Sequence, residues 1–147
     1  MQISRKIEYG LRATLFLASV PEGEVVPFRE IARRMGVPQD FLAKILKRLV
    51  QNQVVRSTRG ARGGYRLARP AAEVSFLDVI EAVEGPLTVN RCTSGGEHRG
   101  CDFSMTCTML SVWKLGQERM LEVYRAATLD KLAMRSLGTL ALPPLPA

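Results

Sequence analysis

A basic amphipathic helix that runs directly into a glycine-rich turn constrains this chain more than any other feature, and the two occupy residues 39–69. Four apolar residues recur in the helix at helical spacing: Leu42, Ile45, Leu46 and Leu49. One face of the helix can therefore be buried while the opposite face stays polar. Beyond it, the turn at 59–64 separates two short segments of extended character, 54–55 and 65–67. This pattern is typical of a β-hairpin, so the stretch predicts a helix followed by a hairpin wing.

A second helix is predicted immediately before this stretch. Its apolar residues follow the i, i+3, i+4, i+7 rule: Phe28, Ile31, Ala32 and Met35. Pro27 begins that helix and Gly36 ends it, so residues 27–51 have the length and spacing of a helix-turn-helix. An ordinary antiparallel helix pair has the same spacing and remains an alternative. The basic outer face of residues 39–51 and the adjoining wing favour the helix-turn-helix.

A helix-turn-helix with a wing has the parts that recognition of duplex DNA needs. A helix fits the major groove, and arginines at a wing tip can reach phosphates or the minor groove. We therefore predict a two-fold symmetric double-stranded DNA operator as the partner. The candidate residues are Gln39, Asp40 and Lys44 for base edges, Arg59 for the minor groove, and Lys47, Arg48 and Arg62 for phosphates. Asp40 has a second interpretation as an N-terminal helix cap.

The charge distribution agrees with a polyanionic partner for the first half of the chain. Residues 1–70 hold 14 Lys and Arg against 5 Asp and Glu, whereas residues 71–147 hold 7 against 9. A solvated basic face would give the same excess, so the charge is supporting evidence only. No apolar run approaches the about 20 residues that a membrane span requires. Because a signal peptide is also not recognisable, we predict a cytoplasmic protein without membrane contact.

The remaining pattern is mainly helical. Residues 2–19 predict a helix that is apolar on most of its surface and must be enclosed. Ser75 and Asp78 predict a capped helix start, and the Gly-Pro pair at 85–86 predicts its end. The fold class is therefore mainly α with a small β-hairpin wing. We divide the chain into a winged helix-turn-helix DNA-binding region at 1–70, a cysteine-loop sensor and dimerisation region at 71–137, and a flexible tail at 138–147.

A final long helix is predicted over residues 104–127 and a short one over 128–137. Six residues of the long helix alternate steps of four and three: Met109, Trp113, Gly116, Met120, Val123 and Ala127. Such a repeat is typical of a helix-pairing seam, and Leu110, Leu121 and Tyr124 lie off it. We predict a homodimer, because a single helix-turn-helix reads only a half-site. The alternative is that both helix faces pack within one chain.

Three cysteines, Cys92, Cys101 and Cys107, are concentrated in one glycine-rich loop. Structural zinc sites usually have paired ligands two to four residues apart, which this spacing lacks. Iron-sulfur clusters accept looser spacings and sometimes a ligand other than cysteine. The spacing favours an iron-sulfur cluster, and three unrelated thiols are the alternative. The sequence has no arrangement for nucleophilic catalysis and no phosphate-binding loop, so we do not expect an enzyme.

Several of these motifs together resemble one family. They are the N-terminal SRKIEYGLRA, the helix-turn-helix, the wing TRGARGGYRLAR, the following VSFLDVIEAVEG and the C-x8-C-x5-C loop. The combination runs from residue 2 to about residue 132 and is similar to the Rrf2 family of winged-helix transcription regulators, which includes IscR-like and NsrR-like repressors.

The resemblance implies a transcription regulator, expected to be a repressor, whose operator affinity depends on an iron-sulfur cluster that senses redox, nitric oxide or iron-sulfur status. It implies a homodimer with one 2Fe-2S or 4Fe-4S cluster per subunit, held by Cys92, Cys101 and Cys107. The fourth ligand that it implies is Glu8 of the partner chain, with His98 as the alternative. A cluster-free or zinc-bound regulator of the same fold and an iron-sulfur electron-transfer protein are the alternative functions.

Overall fold

The computed structural model describes residues 3–94 and 106–135. These residues form α1 (Arg5–Ser19), α2 (Phe28–Met35), α3 (Gln39–Gln51), β1 (Val55–Thr58), β2 (Gly64–Leu67), α4 (Phe76–Glu84), α5 (Leu110–Ala126) and α6 (Leu129–Arg135). Single turns of 3-10 helix lie at Ala71–Glu73 and Arg91–Thr93. The predicted fold class, mainly α with a small β-hairpin wing, is confirmed. Within the part of the chain that is described, no helix is long and apolar enough to cross a membrane.

Helix α1 lies at the centre of the core, as its apolar surface predicts. A methyl group added at Gly10 would lie 2.8 Å from Val83 Cγ2, so α1 and α4 cross closely. Thr14 is fully buried, and its hydroxyl donates to the Gly10 carbonyl at 2.9 Å. The hydrogen bond satisfies a polar group that would otherwise be costly to bury. A strip of charged residues on α1 stays exposed: Arg5, Glu8 and Arg12.

Helices α2 and α3 form the helix-turn-helix predicted over residues 27–51. Gly36 adopts a left-handed conformation, with φ 62° and ψ 35°, and its N–H donates to the Ala32 carbonyl, which ends α2. The chain turns through Val37, which is buried, into α3. The predicted apolar face of α3 is buried, with no residue more than 3% exposed: Leu42, Ile45, Leu46 and Leu49. Their burial fixes which face of α3 points outwards.

Strands β1 and β2 form an antiparallel hairpin, the predicted wing. A third segment joins it, because Val26 and Tyr65 exchange two backbone hydrogen bonds of 2.9 Å. A methyl group at Gly64 would lie 2.2 Å from the Val26 carbonyl oxygen, so this close approach requires glycine. The Tyr65 ring packs against Phe28 of α2 with the ring centroids 6.5 Å apart. These contacts fix the wing to the helix-turn-helix.

Helix α4 begins with the predicted capping box. The Ser75 hydroxyl accepts a hydrogen bond from the Asp78 N–H, and the Asp78 carboxylate accepts one from the Ser75 N–H. Just before it, the Val74 carbonyl accepts from the Leu129 N–H at 2.9 Å, where α6 begins. Leu129 is fully buried in the same core as α1. The hydrophobic core thus extends across residue 70, and the division of the chain there stays a functional prediction.

Helix α5 starts later than the predicted residue 104. Residues 106–109 are not helical, and the helix runs over Leu110–Ala126. Thr and Cys have low helix propensity, which accounts for the later start. The main contacts of α5 are with α4 and the turn at Arg91–Thr93, and none of its residues is buried. The short helix predicted over 128–137 corresponds to α6, and the tail at 138–147 lies outside the described residues.

Two side chains form hydrogen bonds to the carboxyl end of α4: Arg48 of α3 and Asn52, the C-terminal cap of α3. The Arg48 guanidinium donates to the Val83 carbonyl at 2.8 Å, and the Asn52 amide donates to the Ala82 carbonyl at 3.2 Å. Both carbonyls belong to the last turn of α4, where backbone acceptors have no partner within the helix. Hydrogen bonds therefore join α3 to α4 in addition to apolar packing.

Replacing Arg48 by Met should lower the free energy of unfolding by about 1–2 kcal/mol, because a charged hydrogen bond is lost while the aliphatic stem can still pack. Lys47→Met is the matched control, since Lys47 is exposed and takes part in no side-chain hydrogen bond or ion pair of the described residues. Urea unfolding measures both variants. Equal stabilities would contradict a structural role for Arg48.

Candidate nucleic-acid interface and cysteine segment

The outward face of α3 carries residues predicted to contact DNA. Asp40, Lys44 and Lys47 are exposed and are spaced by four and three residues, so they lie along one side of the helix, opposite the buried apolar face. Gln39 is also exposed, at the first position of the helix. Pro38 occupies the N-cap position and no side chain caps this terminus, so Asp40 does not act as the cap. Its carboxylate is free to face a partner.

Arg59 and Arg62 lie at the tip of the wing, and both are exposed. The tip depends on glycine: Gly60 has a φ of 114°, and a methyl group at Gly63 would lie 2.5 Å from the Thr58 carbonyl oxygen. Neither arginine takes part in the ion pairs found among the described residues. The tip therefore presents two guanidinium groups without an acidic partner, as contact with phosphates or a narrow minor groove requires.

Arg48 differs from the other predicted DNA residues. It lies on the α4 side of α3, where its guanidinium is bonded to Val83. Asn52 shares this structural role, and sequence reasoning missed it. An asparagine directly after the last helical residue was the available signal, because Asn side chains bond nearby backbone groups at helix ends.

Phe41 is an exposed aromatic residue next to Gln39 and Asp40, and it was also missed. Its side chain is 50% exposed. Its ring lies edge-on to Tyr9 of α1 with the ring centroids 6.3 Å apart, and the Arg12 guanidinium lies 5.9 Å from the centroid of the same Tyr9 ring. The sequence signal for its exposure was that Phe41 falls outside the i, i+3, i+4 pattern of the buried apolar residues of α3.

Two of the three cysteines lie within the described residues. Cys92 is part of the turn at Arg91–Thr93, and Cys107 precedes α5 by three residues. Both are half-buried free thiols. Cys101 and His98 lie outside the described residues.

Gln117 of α5 fixes the segment that carries Cys92. Its side chain accepts a hydrogen bond from the Val89 N–H at 2.9 Å and donates one to the Thr93 carbonyl at 3.1 Å. Sequence reasoning missed this residue. The signal was a polar residue at the helical spacing of the apolar residues that lie off the seam: Leu110, Leu121 and Tyr124.

Glu8 is exposed on α1 and forms an ion pair with Arg12 one turn later. About half of each side chain is exposed, 50% for Glu8 and 46% for Arg12, so the pair contributes little to stability. Among the residues that the structure describes, no three His, Cys, Asp or Glu side chains lie close enough together to hold a metal ion. Glu8 therefore does not join Cys92 and Cys107 of its own chain.

The donor set fits an iron-sulfur cluster. The chain has three cysteines and one histidine, and clusters are held by thiolates with an occasional ligand of another kind. Cys107 lies just before the N-terminus of α5, where the helix dipole favours negative charge. Three thiolates would leave one iron position for a carboxylate or an imidazole.

Within the described residues, the outer face of α5 is apolar and exposed. The exposed large apolar residues of α5 and of its N-cap, Met109, are Met109 at 62%, Val112 at 70%, Trp113 at 39%, Leu115 at 55% and Val123 at 42%. A methyl group at Gly116 would meet no atom of the described residues within 4 Å, so their packing does not account for the glycine. On the other side of the helix, the Tyr124 ring lies 5.1 Å from the Phe76 ring of α4. Among the residues that the structure describes, packing against α5 is confined to that side.

The sequence matches the family model of Rrf2, described as an iron-dependent transcriptional regulator, over residues 3–135. The HTH-type transcriptional regulator Rv1287 of Mycobacterium tuberculosis is 38% identical over 134 residues, which cover 90% of this chain and 81% of that protein. The relatives are transcriptional regulators, so the chain is a DNA-binding regulator and not an enzyme.

Solved structures agree with this relationship. The T. potens IscR structure has a TM-score of 0.73 and 28% identity, with 97% of this chain and 94% of that chain covered. The B. subtilis CymR, named as the global cysteine regulator, has a TM-score of 0.72 and 25% identity, with 91% and 97% covered. With a winged helix-turn-helix fold and a family match that spans both DNA-binding and cysteine segments, the chain belongs to the Rrf2 family of transcriptional regulators.

Proposed function

We propose that the chain binds a two-fold symmetric operator as a homodimer, represses transcription there, and changes its operator affinity with the state of an iron-sulfur cluster. The observation that carries the DNA-binding part is that the polar face of α3 and the wing tip are exposed, without an ion pair to any described residue, while the apolar face of α3 is buried.

For the bound state we assign Gln39, Asp40 and Lys44 to base edges, Arg59 to the minor groove, and Lys47 and Arg62 to phosphates. Amide, carboxylate and ammonium groups can each discriminate base edges in the major groove. Arg48 stays assigned to phosphates and also positions α3, because the Val83 carbonyl engages only one of the five N–H donors of its exposed guanidinium. Residues 1–70 would read the DNA, and residues 71–137 would supply the sensor and the dimer contacts.

Arg62→Ala should weaken binding to every duplex and reduce the slope of log affinity against log salt by roughly 0.9, because one phosphate contact is lost. Gln39→Ala should instead relax sequence preference, at a cost of about 1–3 kcal/mol for the preferred base. Fluorescence anisotropy with a selected operator and a random duplex measures both effects. Arg125→Ala, an exposed arginine on α5, is the control. Full affinity in both variants would rule out the helix-and-wing interface.

The homodimer is proposed to form through the outer face of α5. An apolar row of this length on an exposed helix needs a partner surface. Glycine in a helix interior costs about 1 kcal/mol relative to alanine, and none of the described residues of its own chain lies close enough to Gly116 to explain that cost. Close approach of a second α5 would explain it, because the missing side chain lets two helix backbones come near each other.

Gly116→Glu should convert the dimer into a folded monomer, because a charged side chain would be placed in the centre of the apolar seam. Ser111→Glu is the matched control, since Ser111 is exposed on the opposite side of the same helix. Sedimentation velocity with far-UV circular dichroism separates dissociation from unfolding. If the Gly116→Glu protein stays dimeric, the dimer interface does not lie on α5.

We propose that a 2Fe-2S or 4Fe-4S cluster is held by Cys92, Cys101 and Cys107. Such a cluster would react with oxidants or nitric oxide, and it would be lost under iron shortage. The hydrogen bonds of Gln117 support this, because they keep the segment of Cys92 against the helix that Cys107 precedes. The family description as iron-dependent and the likeness to an IscR structure support it as well.

The fourth ligand is proposed to be Glu8 of the partner subunit, with His98 as the alternative. Within one chain Glu8 does not join the described cysteines, so a ligand role requires a second chain. Only a half-exposed ion pair with Arg12 would have to break, which costs about 0–1 kcal/mol. A carboxylate is a harder ligand for iron than a thiolate and exchanges more readily, which suits a cluster that is meant to be labile.

Purified without oxygen, Cys101→Ala should lose most of its iron and acid-labile sulfide. Glu8→Ala should bind a cluster that decays faster in air, with a changed absorption spectrum, while Glu22→Ala, an exposed glutamate, should behave as the wild type. Iron and sulfide assays and absorption spectra measure this. Full cluster content in Cys101→Ala would exclude a cluster held by the three cysteines. An unaffected Glu8→Ala would show that the fourth ligand is His98 or a solvent molecule.

A cluster-free regulator of the same fold is the second candidate. The likeness to CymR supports it, including an oxidised form of Staphylococcus aureus CymR with 28% identity and a TM-score of 0.67. Anaerobic wild-type protein without iron, whose DNA affinity nevertheless changes on thiol oxidation, would favour this candidate.

A further inference from the structure

The segment that carries Cys92 is a tight turn closed by its own hydrogen bonds. The Asn90 side chain accepts a hydrogen bond from the Arg91 N–H at 2.8 Å, and the Thr93 hydroxyl accepts one from the Asn90 N–H at 3.2 Å. The Thr93 N–H donates to the Asn90 carbonyl at 3.0 Å. These bonds join residues of the turn to one another, so they fix its shape but not its position on the protein.

The position of the turn is fixed by one side chain, Gln117 of α5. Its Oε1 accepts a hydrogen bond from the Val89 N–H at 2.9 Å, and its Nε2 donates one to the Thr93 carbonyl at 3.1 Å. Val89 precedes Cys92 by three residues, and Thr93 follows it directly. A single amide therefore holds the chain on both sides of the thiol. Glutamine has the donor and the acceptor that this requires, whereas a carboxylate can only accept.

Gln117 occupies a position where an apolar residue would pack. It follows the same helical spacing as Leu110, Leu121 and Tyr124, on the side of α5 where Tyr124 packs on Phe76, and it is half-buried. A polar group at such a position is unfavourable unless it is hydrogen-bonded. Both hydrogen bonds of its amide go to the segment of Cys92. The contribution of this glutamine is therefore to hold that segment.

The second described cysteine is attached to the same helix. The Cys107 carbonyl accepts a hydrogen bond at 3.3 Å from the N–H of Leu110, where α5 begins. Helix α5 is thus the common support of both thiols, because Cys107 is joined to it through the backbone and Cys92 through Gln117. Loss of the Gln117 contacts would release the turn of Cys92 while Cys107 stays in place.

We propose that Gln117 is a positioning residue for the cluster: it holds Cys92 in place relative to Cys107 before iron binds, and it slows the release of iron afterwards. Residues that orient metal ligands raise metal affinity without touching the metal. A ligand that is held beforehand also avoids the loss of chain entropy that binding to an unordered segment entails. This inference rests on the proposed cluster and names a residue, itself not a ligand, that determines how firmly the cluster is bound.

The first measurement uses the full-length protein without iron, under reducing conditions, and follows alkylation of each cysteine by iodoacetamide with peptide mass spectrometry. Gln117→Leu fits the apolar row of α5 but loses both hydrogen bonds. Cys92 should then react about three- to tenfold faster, the factor expected for lost hydrogen bonds, while Cys107 keeps the wild-type rate. Glu118→Leu, at the neighbouring exposed position, is the control and should match the wild type.

The second measurement follows the transfer of iron from the anaerobically loaded protein to a chelator, by absorption. Gln117→Leu retains the three cysteines, so it should take up the full content of iron and sulfide and release iron about three- to tenfold faster. Gln117→Glu retains the acceptor for the Val89 N–H but loses the donor to Thr93, so its rate should fall between those of Gln117→Leu and the wild type.

Unchanged Cys92 reactivity in Gln117→Leu would overturn the proposal. Faster alkylation of Cys92 and Cys107 alike would also overturn it, because the whole fold would then be loosened. If Cys92 reacts faster but iron release keeps the wild-type rate, Gln117 holds the turn without affecting the cluster, and this inference alone is overturned. Wild-type protein that takes up no iron and sulfide would instead overturn the proposed cluster together with this inference.

Discussion

The burial of one face of α3 is the constraint on which the rest of the structure depends. Leu42, Leu46 and Leu49 have no exposed surface, and each fully buried leucine contributes about 1.5–3 kcal/mol relative to an exposed one. Rotating α3 to present another face would expose these side chains and bury lysines. The core thus decides which residues face outwards. The direction of Lys44 and Lys47 is a consequence of hydrophobic packing and not of any polar contact they make.

From α3 the same constraint extends towards the cysteine segment. Arg48 and Asn52 donate hydrogen bonds to the last turn of α4. Cys92 follows the end of α4 after a few residues. Gln117 then ties the Cys92 segment to α5. A continuous set of contacts therefore connects α3, the segment of Cys92 and α5, the helix that we propose as the dimer interface. Coupling between sites needs an element with two arrangements, and the turn at Arg91–Thr93, which Gln117 holds, is where we expect it.

Much of this architecture could be predicted because the signals are local. The apolar spacing of α3, the glycines of the wing and the Ser75–Asp78 capping box each determine their element from a few neighbouring residues. The start of α5 was predicted less well. The periodic seam includes Met109, whereas the backbone at Met109 still belongs to the turn before the helix. The structural hydrogen bond of Arg48 was not predicted, because charge and spacing do not reveal that the end of α4 lies beside it. Such contacts depend on residues distant in sequence, as do those of Asn52 and Gln117.

The proposed regulation requires that the dimer reads its operator differently when the cluster is bound and when it is lost. Operator affinity of the anaerobically purified, cluster-loaded dimer should be compared with that of the same preparation after cluster removal under reducing conditions, with a random duplex measured in parallel. We predict a change of about tenfold or more for the operator, in the range of ordinary allosteric coupling, and little change for the random duplex. Equal operator affinities for the loaded and cluster-free dimers would contradict regulation by the cluster.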